Sequence, residues 1–173
     1  MSPKFKEITT ENWLDPDPLY MHLVKRDRRD GAIHPIDGRD WIELVNAIHF
    51  DDRVPEDVRE AFWFTVGAVG YSYFYWPLLT LVAQQALRVA DFAVDRLFDA
   101  LSLQPKPQSF ARRLARLHKL GHLDATDYGR WESLRKLRND STHPGFQQNW
   151  GHSMSLEIVR TVADSIEGLP WPI

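Results

Sequence analysis

The sequence predicts an all-α protein, an up-and-down bundle of four main helices with short extra helices at the N-terminus. Three observations carry this expectation. The segment from about Pro77 to Leu103 is apolar except for one narrow stripe, Gln84, Arg88, Asp91, Asp95 and Asp99, whose members stand three or four residues apart. The other long segments end in helix-stop chemistry and are joined by short connections, as antiparallel neighbours are. No stretch alternates apolar and polar residues for long enough to need a sheet.

In chain order, residues 1–53 read as an appendage with two short helices, and residues 54–173 as the bundle. Asp17-Pro18 offers an N-cap with Pro at the first helical position, opening a helix over Leu19–Arg29 that stops at Gly31. His34-Pro35-Ile36-Asp37-Gly38 is turn chemistry, and Asp40–Phe50 reads as the second short helix. Val54-Pro55-Glu56-Asp57 opens a long helix with acids in its first turn, running to about Gly70. The striped helix follows, then a break at Gln104-Pro105-Lys106-Pro107-Gln108. Ser109 caps a short basic helix, Phe110–Leu120, stopped by Gly121. Asp124 or Thr126 caps the next, which reaches about His143 and is stopped by Pro144-Gly145. After a polar loop, Ser153 or Ser155 caps a last helix ending at Gly168.

An apolar share of 43% and a charged share of 26% suit one globular domain with a sizeable core. The absence of Cys excludes a disulfide framework, a thiol nucleophile and a Cys-ligated zinc site. The first residues show no apolar run before a small-residue cleavage site, so no signal peptide and a cytoplasmic location are expected. Residues 61–83 are uncharged and long enough to span a bilayer. They are interrupted by Gly67, Gly70 and Pro77 and carry Tyr and Trp at their centre, which favours two buried helix ends over a membrane span. Charge is unevenly placed. From Lys106 to His143, nine Lys or Arg face four acids, a local +5 in a chain whose net charge is −3. Arg112, Arg113, Arg116, Lys119, Arg135 and Lys136 are the cations expected to face RNA, although two solvated basic helices explain the same charge. Asp91, Asp95 and Asp99 read as a solvated helix edge eased by Arg88 and Arg96, in preference to a metal ladder.

The stretch Leu137-Arg138-Asn139-Asp140-Ser141-Thr142-His143-Pro144 carries the chemistry. With Trp131, Leu134 and Tyr128 marking the apolar face of its helix, Arg138 falls about 20° from Trp131, on the side that should be buried. A guanidinium there needs a partner. A structural acid or carbonyls, the helix terminus, or an anion gripped by the bidentate fork all qualify. Asn139 and His143 are one turn apart, so Asn139 can orient the imidazole. His118, His122 and Asp124 lack the pattern of a metal site. No Gly-rich phosphate loop, no Gly-x-Ser-x-Gly elbow and no base-reading helix is present. Neither a metal nor a cofactor is expected.

Arg138-Asn139 followed by His143, with four residues between Arg and His, resembles the signature of the HEPN superfamily. The order of elements is also similar: a long helix containing Gln84-Gln85-Ala86-Leu87-Arg88, a short helix, the motif helix and one terminal helix, over roughly residues 56–168. The resemblance implies metal-independent RNA cleavage, often by toxins or antiviral effectors, and a homodimer whose two motifs line one cleft. It implies that Arg138 binds the scissile phosphate, that His143 acts on the 2′-OH or the leaving oxygen, and that Asn139 holds the imidazole or the phosphate. It also implies a possible antitoxin or other protein partner. The alternative reading is a non-catalytic module of the same kind that binds RNA, a nucleotide or a protein.

Overall fold

The computed structural model describes residues 6–27, 30–142 and 151–172. The described chain is mostly helical, with one small hairpin. A 3-10 turn, Pro18–His22, leads into β1 (Val24–Arg26) and β2 (Ile33–Pro35). The α-helices are α1 (Gly38–Asn46), α2 (Glu56–Tyr71), α3 (Leu78–Ala100), α4 (Phe110–Lys119), α5 (Ala125–Thr142) and α6 (His152–Glu167).

The centre of the fold is α3, which packs against α2, α4, α5 and α6. Leu79, Val82, Ala83, Ala86, Leu87, Ala90, Val94 and Leu97 are buried along it and form the core side of the helix, while Leu81 and Phe92 are exposed outside the polar stripe. Its alanines leave room for α6, which brings Val159, Val162 and Ile166 against it. Truncating Leu87 here leaves a cavity that costs about 2–5 kcal/mol. The apolar run over 61–83 is divided between α2 and α3 by the turn at residues 72–77. Among the described residues no helix is long and apolar enough to cross a membrane.

Helix ends follow the local chemistry. Ser109 Oγ accepts from Arg112 N at the start of α4. Gly121, at φ +78, closes α4 while His122 N donates to Leu117 O at 2.9 Å. Asp124 Oδ1 accepts from Asp127 N at 2.7 Å and caps α5. At α6 the cap is Gly151, ahead of both expected serines, Ser153 and Ser155; Ser155 is buried inside the helix. The expected stop of α5 at His143, Pro144 and Gly145 lies outside the described residues.

The N-terminal segment departs most from expectation. In place of a helix over Leu19–Arg29, a single 3-10 turn gives way to the hairpin, with Lys25 opposite His34. Gly31, at φ +75, supplies the left-handed turn residue between the strands. Strands of three residues are too short to show alternation in a sequence. The segment expected as an appendage is packed into the corner between α2 and α3. Trp41 Nε1 donates to Val69 O at 3.0 Å, and the Tyr20 hydroxyl lies 3.0 Å from Ser72 Oγ. Buried Asp17 accepts from Leu19 N and, at 2.9 Å, from Trp76 N. Tyr20 stacks edge-on against Trp41 and Trp76. Its burial pushes the phenol well above the usual tyrosine range.

Candidate functional site

Helix α5 sets Arg138 by its own periodicity. Trp131 and Leu134 are buried, and Trp131 meets Phe110 of α4 edge-to-face at 6.3 Å between ring centres. Arg138 lies one turn beyond Leu134 on the same side and therefore points at α3. It finds an acid there. Its Nη2 lies 3.0 Å from Asp91 Oδ2. Of the partners open to Arg138, the first one, a structural acid, is present.

The contact is the end of a longer chain of charges. Asp91 Oδ1 accepts from Arg113 Nη2 at 2.5 Å, and Arg113 Nη1 reaches Asp95 Oδ1 at 3.2 Å. Lys106 Nζ bridges Asp95 at 2.7 Å and Asp99 at 2.9 Å. Arg96 then joins Asp99 to Asp57 of α2. The acidic stripe of α3 is therefore not a merely solvated edge. It is the seam on which the α3–α4 connection, α4 and the tip of α5 are docked. Its cations are Arg113, Lys106, Arg138 and Arg96; Arg88, which was expected to ease it, stands exposed away from these pairs. The hydrogen bond from Lys106 holds the Asp99 carboxyl below its ordinary range, with the charges of Lys106 and Arg96 adding to it. Lys106 titrates above its ordinary range because its bonds to Asp95 and Asp99 outweigh desolvation.

The rest of the expected site divides three ways. Arg138 and Asn139 are together: Arg138 Nη1 points at Asn139 Oδ1 at 3.4 Å, a weak contact. The Arg138 side chain is 35% exposed, against 18% for Asp91. Beside them Gln84 Nε2 reaches Ser141 O at 3.5 Å. His143 lies outside the described residues.

Among the expected RNA-facing cations, Arg113 is a correction. Its side chain is only 10% exposed and is enclosed by Asp91, Asp95 and the carbonyls of Pro107 and Gln108, so it serves the fold. Arg116 clamps the α3–α4 connection through the carbonyls of Pro105 and Gln104, each at 2.6 Å. Arg135 is held bidentate by Glu132, whose hydrogen bonds raise its pKa. Arg112, Lys119 and Lys136 are exposed, and their side chains make no ion pair or hydrogen bond among the described residues.

His118 is accounted for within the fold. Its Nδ1 lies 2.9 Å from Leu123 O, and its ring stacks on Tyr128 at 4.6 Å. Among the described residues no group of three His, Cys, Asp or Glu is placed to hold a metal. The residue missed at the sequence level is Asp91. Its place on the α3 stripe was visible, but the cations that meet it come from elements 22 residues and more away. Comparison with family models, with curated proteins and with solved structures finds no match.

Proposed function

We propose that the protein is a HEPN-like, metal-independent endoribonuclease. Arg138 binds the scissile phosphate, His143 acts as acid and base, and Asn139 orients the imidazole or the phosphate. The observation that carries this reading is the state of the Arg138 guanidinium. Asp91 holds it through Nη2, about a third of the side chain is exposed, and among the described residues Nη1 has only the long contact to Asn139. A guanidinium held on one edge and open on the other is preorganised for a phosphate oxygen, whose negative charge grows during transfer.

In the proposed reaction the 2′-OH attacks the adjacent phosphorus, and its proton passes to a base. The bond to the 5′ oxygen breaks, and that oxygen takes a proton. The products are a 2′,3′-cyclic phosphate and a 5′-OH. An imidazole with an ordinary pKa can serve both transfers near neutral pH. Arg112, Lys119 and Lys136 supply the open cations for the flanking backbone. Under this reading α2, α3, α5 and α6 form an up-and-down four-helix bundle, the working unit is a homodimer, and the location is cytoplasmic. An antitoxin or other protein partner restrains the activity.

Incubation with single-stranded RNA and transfer RNA in EDTA tests the proposal. Cleavage is expected from the wild type and is expected to fall about 100-fold or more in Arg138→Ala and His143→Ala. Uncut RNA with the wild type, or equal cutting by the variants, rejects it.

The Asp91–Arg138 ion pair favours a second reading, a non-catalytic RNA-binding module, because it satisfies part of the guanidinium without a ligand. That reading expects RNA affinity that falls steeply with salt and no strand scission.

A further inference from the structure

Over residues 63–71 the outer face of α2 is apolar and, among the described residues, uncovered. The core side of this helix is Val58, Phe62, Thr65 and Val69, all buried. At about 100° per residue, the opposite side is centred on Gly67. Trp63 and Tyr71 stand about 40° to either side of it, and Phe64 and Gly70 about 60° to either side. Trp63 is 77% exposed, Phe64 79% and Tyr71 67%, with Leu81 of α3 beside them at 59%. Amphipathic surface helices turn polar residues outward; α2 turns out Trp63, Phe64 and Tyr71. A shallow hollow runs along Trp63, Gly67, Tyr71 and Leu78, and a second continues over Phe64 to Leu81 and Gln84.

We propose that a second copy of the chain covers this face. The two α2 helices pack antiparallel about a two-fold axis through Gly67. The sequence of the face is self-complementary under that operation. Trp63 of each copy meets Tyr71 of the other, Phe64 of each lies over Gly70 of the other, and Gly67 meets itself. A glycine inside a helix weakens it, so its presence needs a reason. Neither Gly67 nor Gly70 has a positive φ, and a Cβ at either would meet nothing within 4 Å. Nothing inside the described monomer requires them, whereas the room they leave lets a second helix approach closely, with space for a side chain as small as cysteine.

The area agrees. The exposed parts of Trp63, Phe64, Tyr71 and Leu81 amount to roughly 600 Å². That is at the top of the range for a monomer's largest patch and most of the roughly 800 Å² a stable partner contributes. The charges disfavour an anionic lipid surface as occupant. Glu60 sits on the face, and the neighbouring cation, Arg59, is paired with Asp52. This seam is different from a cleft lined by both motifs, but Gln84 links its edge to Ser141 at the tip of α5. The inference does not rest on RNA cleavage.

The chain has no cysteine, so Gly67→Cys places a single thiol on the axis. Mild oxidation is expected to convert it to a covalent dimer, while Ser133→Cys, exposed on α5, stays uncoupled. Light scattering at tens of micromolar is expected to give a dimer mass for the wild type. Trp63→Lys is expected to weaken the dimer about tenfold or more with its helical circular dichroism unchanged. A monomeric wild type overturns the proposal, whether or not it sediments with phosphatidylcholine vesicles. Failure of Gly67→Cys to couple, or a Trp63→Lys dimer of unchanged strength, overturns it too.

Discussion

The two flanks of α3 solve opposite problems. On the α4–α5 flank, charges at a half-buried seam find partners: Arg138, Asp91, Arg113, Asp95, Lys106 and Asp99 form one continuous chain. On the α2 flank, large apolar groups are left largely uncovered by the described chain: Trp63, Phe64 and Tyr71 are each two thirds or more exposed. A basic segment invites a nucleic-acid reading by its charge alone. Here much of that charge holds the fold, through Arg113, Arg116 and Arg135. The informative groups on either flank are those with capacity left over. On one side these are the open edge of Arg138 with Arg112, Lys119 and Lys136; on the other, the aromatic face of α2.

Breaking the charged flank at its centre is expected to have the largest effect on stability. Arg113→Ala leaves Asp91 and Asp95 facing each other at a largely enclosed site and should cost about 3 kcal/mol in urea unfolding. A loss under 1 kcal/mol would show that solvent and Lys106 replace the guanidinium, and the contrast between the flanks would weaken. Arg138→Ala removes a more exposed partner and should cost about 1 kcal/mol, yet RNA cleavage should fall about 100-fold or more. A stability loss equal to that of Arg113→Ala, with cleavage intact, would make Arg138 a residue of the fold alone.

Smaller still is the pH effect at the far end of the chain of charges. Asp99 has a folded pKa depressed below 3.8, so its contribution is complete above the ordinary carboxylate range and is lost as pH falls through about 4 and below. Because its side chain is 42% exposed, the amount is modest, about 0.5 kcal/mol. Asp99→Asn should remove that part of the acid-side slope when unfolding is followed between pH 6 and about 3. The same slope in wild type and variant would mean that the Lys106 bridge contributes nothing. On the other flank, Trp63→Lys should change monomer stability by less than about 0.5 kcal/mol, because about three quarters of the residue is exposed. A larger loss would mean that Trp63 is packed in solution.

The order and approximate bounds of α2 to α6 are legible in the sequence because Pro55, Pro77, Ser109, Gly121 and Gly168 punctuate them and each signal is local. The hairpin is not, since β1 and β2 gain their order from pairing with each other and from the packing of Tyr20 and Trp41 on the α2–α3 corner. The same distinction holds at the site. The helical wheel of α5 shows that Arg138 needs a partner, because that depends only on residues within one helix. It cannot show that the partner is Asp91, or that Arg113 has a prior claim on the same carboxylate, because those choices are made between helices. The exposed face of α2 is also concealed: an apolar run in a sequence looks the same whether the chain itself or something else covers it.

Single-turnover cleavage of end-labelled RNA in EDTA by Arg138→Lys separates the charge of this residue from its phosphate grip. Lysine keeps the positive charge beside Asp91, and with it the structural part of the role, but not the planar fork that grips a phosphate. Stability within about 0.5 kcal/mol of the wild type is expected, with a cleavage rate lower by about 100-fold and the residual product still ending in a 2′,3′-cyclic phosphate. Cleavage at the wild-type rate by Arg138→Lys, or no cleavage by the wild type, would contradict it.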